Sequence, residues 1–325
     1  VSHTSASITS FFLLVSVRAL LANSSTNAQL LLSTLEAAAA SIGLKLNLGA
    51  GKTEIIIVGD REHGWFLPRL ASSALIPEVT TYKYLGHHVS ASGDWLIDFT
   101  ARKRNAWFVL HTYSDIWKSP LPLPTKRRLF YALVIPVLTY ASFTYPLANL
   151  TCRRILHTVC NSMLRFALHT KIHWSPDEST IHIHTAQLYD VYPTLPTVIA
   201  YQLLNSWGHW VRDTELRNLE HPVVDALSSN LTLRNRRTGS SQNPASTISC
   251  LTRLSMDDSY TLCLDRPRWR KHCFDSSLDV EMHMYDSWIL PRRIHGVLGP
   301  AGHSRVLSNR RAALNQWLED RRVLD

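Results

Sequence analysis

The chain has 325 residues, 45% hydrophobic and 18% charged, which excludes a wholly disordered or collagen-like chain and leaves room for two or three domains with a sizeable core. The five cysteines (Cys152, Cys160, Cys250, Cys263 and Cys273) are odd in number and form no Cys-x-x-Cys pair, so a reducing intracellular compartment, nuclear or cytoplasmic, is expected. The net charge of +9 sits in one place: residues 101–171 carry 11 Lys and Arg against 1 acid, while residues 1–100 hold 6 against 7 and residues 172–325 hold 17 against 17.

In chain order, the apolar stretch Phe11 to Leu21 contains Arg18, is too short to span a bilayer and lacks the basic start of a secretory signal. It reads as core, and no membrane association is expected. Ser24-Ser25-Thr26-Asn27 can cap a helix running to about Ile42, with Gly43 just past its end and Leu31, Leu35, Ala38 and Ile42 as its apolar face. Short strands are expected at 44–47 and 54–58. Between them, Gly49-Ala50-Gly51-Lys52-Thr53 has the look of a phosphate-binding loop. That loop requires Gly five residues before Gly51, where Leu46 stands, and must open a helix, whereas Glu54-Ile55-Ile56-Ile57-Val58 is a strand-like run. An ATPase reading is therefore set aside.

A strand over about 81–89, turned by Ser92-Gly93, closes this first α+β block. Helices are then predicted at 95–117, at 125–140 with Pro124 at its start and a kink at Pro136, at 152–168, and at 197–212. Residues 228–249 are rich in Ser, Thr, Asn and Arg and read as a linker. A last helix is expected near 309–324.

In the basic segment, cations alternate with Trp107, Phe108, Trp117, Phe130 and Tyr131, a pattern suited to folded helices with one basic side. Two readings are open: a solvated charged face, or a footprint for a phosphate backbone.

Four stretches in this order, "ALLANSSTNAQLLLSTLEAAAASIGLKLN" with "KTEIIIVG", then "YKYLGHHVSASGDW", then "KRRLFYALVIPVLTYAS", then "LLNSWGHWVRD", resemble the C-terminal half of LINE-type (non-LTR) retrotransposon reverse transcriptases. The resemblance covers about Ala19 to Asp213. Further on, "LCLDRPRWRKHC" is similar to an Asp-Arg-x-x-Trp-Arg stretch found downstream in that family. The resemblance implies an α+β palm remnant over residues 1–94, a mainly α-helical thumb-like domain over 95–215, a polar linker over 216–250, and a helical or irregular C-terminal extension over 251–325. It implies that Arg102, Lys103, Arg104, Lys126, Arg127, Arg128, Arg153 and Arg154 contact phosphates of RNA or an RNA/DNA duplex. Tyr84, Leu85 and Gly86 would form a primer-grip-like turn, with Tyr82 and Tyr84 on one strand face. Lys52 is either a phosphate contact or a surface lysine of a Gly-rich turn.

The family's reaction is RNA-directed DNA synthesis with two Mg²⁺ ions held by carboxylates. Aligned on Ala22-Asn23-Ser24, its aromatic-Ala-Asp-Asp loop falls on Leu14-Val15-Ser16-Val17, where no acid stands, and none occurs before Glu36. We therefore expect no catalytic residues, no metal site and no cofactor for this chain, read as a truncated, degenerate polymerase. The alternatives are a non-catalytic nucleic-acid-binding helical module and a decayed element's product without function. Ser255-Met256-Asp257-Asp258 reads as an exposed turn rather than a metal loop. His182 with His184, and Cys263, Cys273 and His283, lack the tight ligand spacing of a zinc site.

Overall fold

A computed structural model describes residues 20–22, 24–49, 51–58, 65–168, 188–189, 191–217, 244–289 and 300–322. The expectations for 14–17, for His182 and His184, and for most of the 228–249 linker lie outside these residues. Two compact units are present, residues 1–98 and 99–325, divided inside a helix four residues past the expected 94/95 boundary.

In the first unit, α1 (Ser25–Ser41) starts at Ser24, whose hydroxyl accepts the Asn27 N–H at 3.2 Å, and ends before Gly43 at φ +75°. Its buried positions are Ser25, Leu32 and Ala39, whereas Ala38 and Ile42 are exposed. The predicted apolar face is thus rotated. Gln29 and Glu36 belong to the packing face because they bind backbone: the Gln29 amide exchanges two 2.8 Å hydrogen bonds with Arg69, and Glu36 accepts the Ala71 N–H at 2.8 Å. A pattern read from apolar residues alone passes over such polar anchors.

No strand forms at 44–47 or 54–58. Ile55 makes a single parallel bridge, accepting from Val79 and donating to Pro77 at 2.9 Å each. The expected strand at 81–89 is a hairpin instead, β1 (Thr81–Tyr84) against β2 (His87–Ser90), with Tyr82 opposite Val89 and Tyr84 opposite His87. Its two-residue turn is Leu85-Gly86, at φ +46° and +81°, the sign combination of a type I′ turn. Gly86 adopts this freely; Leu85 does so against its Cβ. Asp98, buried in the first turn of α2 (Trp95–Thr112), accepts the His88 N–H at 2.9 Å, and His87 Nδ1 lies 3.2 Å from its other oxygen.

The second unit is helical among its described residues. It holds the rest of α2, then α3 (Ser114–Lys118), α4 (Leu123–Leu133), α5 (Ile135–Thr139), α6 (Leu150–Ala167), α7 (Leu195–Arg217), α8 (Pro244–Thr252), α9 (Met256–Leu264), α10 (Arg266–Met284) and α11 (Pro300–Arg322). Prolines set several boundaries. Pro124 sits in the first turn of α4 as expected, but Pro136 opens a separate helix rather than kinking one. The core draws on both the segment expected as a thumb and the one expected as a C-terminal extension, with Trp117, Phe130, Leu156, Trp207, Trp269 and Leu314 all buried. No described helix is long and apolar enough to cross a membrane.

Candidate nucleic-acid interface

The eight cations singled out in the basic segment divide into two groups. Arg102, Lys126, Arg127 and Arg153 are buried. The Lys126 ammonium donates to the Trp117 carbonyl at 2.6 Å, and the Arg153 Nε donates to the Leu147 carbonyl at 2.5 Å. The guanidinium of Arg102 lies over the Tyr140 ring, 4.4 Å from its centroid. Burial lowers the Arg153 pKa, the charged form being held by few compensating groups. The Trp117 carbonyl is one of the orphans of the last turn of α3, so Lys126 serves as that helix's C-terminal cation. These four side chains are thus packed inside the fold rather than presented on its surface.

Lys103, Arg104, Arg128 and Arg154 are exposed. Arg128 makes an ion pair with Asp320 of α11 at 3.3 Å. Arg104 lies one helical turn before Phe108, whose ring is 72% exposed, so α2 presents a cation beside an uncovered aromatic face. That is the pairing by which stacked bases and their backbone are held together.

Among its described residues, four backbone donors of the Gly-rich turn are occupied from within. Gly49 N–H goes to Asn47 Oδ1 at 2.8 Å, Gly51 N–H to Glu54 Oε1 at 2.6 Å, Lys52 N–H to the Gly49 carbonyl and Thr53 N–H to the Asn47 carbonyl, both at 3.0 Å. A carboxylate thus stands where a phosphate-binding loop would hold its anion. The Lys52 side chain is exposed, and its carbonyl accepts the Tyr82 hydroxyl at 3.2 Å. Tyr84, Leu85 and Gly86 form the hairpin end; Leu85 is 60% exposed, in the turn rather than on a strand face.

Asp257 and Asp258 are not in a turn. They occupy the first turn of α9, where Ser255 accepts the Asp258 N–H at 3.0 Å and donates to its carboxylate at 2.7 Å. That is a capping arrangement favoured by the helix dipole. Cys263 and Cys273 are buried in α9 and α10, and burial pushes both thiols up, Cys263 to about 12. Among the described residues no three His, Cys, Asp or Glu side chains are grouped to hold a metal ion.

Two arrangements escaped the sequence reading. The first joins "SWGHW" to "DRPRW". Asp265 caps α10, accepting the Arg268 N–H at 3.1 Å, and Trp269 then packs against Gly208 of α7 with its Nε1 donating to the Leu204 carbonyl at 3.1 Å. A Cβ at position 208 would stand 2.1 Å from that Nε1, so the glycine is the notch for the indole. The same joint carries Arg266, Arg268, Arg270 and Lys271, four exposed cations in six residues. The even charge balance of 172–325 hid them; a shorter counting window would have found them.

The second is a buried polar cluster. Glu281 takes Arg310 Nε at 3.0 Å and Nη2 at 2.9 Å on one oxygen, and on the other the Thr194 N–H and hydroxyl at 2.8 Å and the Thr197 hydroxyl at 2.6 Å. Arg310 donates further to the carbonyls of Tyr189 and Tyr192. Its members come from α7, α10, α11 and the segment before α7, and no local spacing announces them.

No family model matches the chain, and no solved structure matches it. Over 123 residues it is 27% identical to an uncharacterized transposon-derived protein of Caenorhabditis elegans, a match that covers 38% of this chain and 44% of that relative. The chain thus spans less than half the length of the curated relative it matches, and the similarity supports a transposon origin.

Proposed function

We propose that this chain is a degenerate product of a non-LTR retrotransposon reverse transcriptase that retains nucleic-acid binding through its helical unit and does not polymerise. The four collinear blocks and the transposon-derived relative support the ancestry. The observation that carries the binding is on α2, where Lys103 and Arg104 are exposed and Arg104 lies one turn before exposed Phe108, while Arg102 is engaged in the fold. Phosphate contacts of this kind position a duplex without reading its sequence. The loss of polymerisation rests on Leu14-Val15-Ser16-Val17, apolar and hydroxyl side chains where the family has the aspartates that hold Mg²⁺.

A salt titration of the full chain against an RNA/DNA primer–template tests the binding. The logarithm of affinity should fall linearly with the logarithm of salt, and Lys103→Gln/Arg104→Gln should flatten the slope by about 1–2. An unchanged slope in the double variant removes α2 from the interface. Primer extension with Mg²⁺ and deoxynucleotides should yield no product, and templated synthesis would overturn the inactivity. Absence of binding at any salt by the folded protein leaves the reading of a decayed product without function.

A further inference from the structure

The seating of Trp269 on Gly208 dictates what stands beside it. His209 follows the glycine on α7 and Arg212 lies about one turn further on; Arg266 and Arg270, one turn apart, flank the tryptophan on α10. Arg212 is held by a 2.9 Å hydrogen bond from Nη1 to the Cys263 carbonyl in the last turn of α9. His209, Arg266 and Arg270 are exposed. Asp265, the acid beside Arg266, is engaged at 3.1 Å with Arg268, and on α7 Asp213 follows Arg212 and lies one turn after His209. Among the described residues neither Arg266 nor Arg270 has a carboxylate within ion-pair distance.

The four groups feel one another. Burial lowers the His209 pKa first, and Arg212, Arg266 and Arg270 lower it further; Arg266 and Arg270 act on Arg212 in the same direction. Like charges gathered on two locked helices repel. They stay together because an indole packed into a glycine notch positions their backbones. An oxyanion placed among them would turn that repulsion into attraction, and planar guanidinium forks match its geometry.

We propose that His209, Arg212, Arg266 and Arg270 form a phosphate-binding site, separate from the exposed cations of α2. The shared chemistry is a phosphate oxyanion, supplied either by a nucleic-acid backbone or by a free phosphate. The test follows the His209 imidazole of the full-length protein by NMR across pH, alone, with inorganic phosphate, and with a short single-stranded RNA. Wild type is compared with Arg266→Gln/Arg270→Gln and with Arg268→Gln.

Without ligand, the double variant should raise the His209 pKa, and Arg268→Gln should move it less; no rise means the arginines do not face the imidazole and overturns the site. Phosphate or RNA should raise the His209 pKa in wild type, and binding to the double variant should weaken on the order of tenfold or more. A response to RNA alone assigns the site to a nucleic-acid backbone. A response to inorganic phosphate supports the site even if the nucleic-acid reading of the chain fails. No response to either, or equal binding by the double variant, overturns it.

Discussion

A histidine in the basic segment illustrates how far burial changes a side chain's role. His157 on α6 stacks on Tyr189, with ring centroids 5.5 Å apart, and its Nε2 lies 3.0 Å from the Asn161 amide. Burial lowers its pKa from 6.5 to about 4, against a smaller opposing pull from the Glu281 carboxylate. The folded protein therefore keeps the ring neutral while the unfolded chain protonates it. Its contribution is present above about pH 6.5 and is lost as pH falls through about 4, a loss of about 3 kcal/mol. Urea unfolding at pH 7, 6 and 5 should show stability declining in this window, and His157→Leu should decline less steeply. Parallel pH profiles would assign the acid sensitivity elsewhere. Lys126 and Arg153 make a related point: two cations that look like ligand contacts in the sequence are held by carbonyls that folding would otherwise leave without partners.

Between elements, two joints bring distant segments of the second unit together. At the first, Gly208→Ala should gain at most about 1 kcal/mol of helix propensity. It places a methyl 2.1 Å from Nε1 and 2.3 Å from Cδ1 of a buried indole that is hydrogen-bonded to Leu204 and has nowhere to swing. Overpacking of that kind costs about 1–3 kcal/mol and should prevail, so the melting temperature should fall. A higher one would mean the indole repacks at little cost. At the second joint, Arg310 is 2% exposed and Glu281 fully buried. Arg310→Met leaves a buried carboxylate without its cation, held only by Thr194 and Thr197, and should destabilise by about 3–5 kcal/mol. The double change Glu281→Met/Arg310→Met should cost less than the two single changes added together. Additive costs would show that the two side chains do not interact as a pair.

Across the whole chain, the two units differ in how much apolar surface they cover. The described residues of the first unit bury Leu32, Ala39 and Ile76 but leave Leu21, Leu30, Ile42, Leu44, Val58 and Phe66 exposed. The second encloses four tryptophans and most of the leucines of α6 and α7. Hydrogen exchange in native conditions should therefore show the amides of α1 and the β1–β2 hairpin opening well below the free energy of those in α7 and α10. Uniform protection across both units would mean that they unfold together.

Local signals were enough for what is local. Ser24 and Gly43 mark the ends of α1, Pro124 marks the start of α4, and the departure of the Gly-rich loop from a phosphate-cradle pattern was visible in Leu46, because caps, prolines and glycines act within one turn of their own position. The hairpin was missed because its turn places a leucine at positive φ, where sequence patterns look for Gly or Asn. The face of α1 was misplaced because two polar residues anchor it. The segregation of charge into residues 101–171 was plain in the sequence, but which of those cations face solvent was not. That depends on which carbonyls lie within reach once α3, α4 and α6 have packed. The Glu281–Arg310 cluster belongs wholly to the tertiary structure. Its members lie tens of residues apart, and only helix packing brings them to within hydrogen-bond distance, where electrostatic interactions become strong.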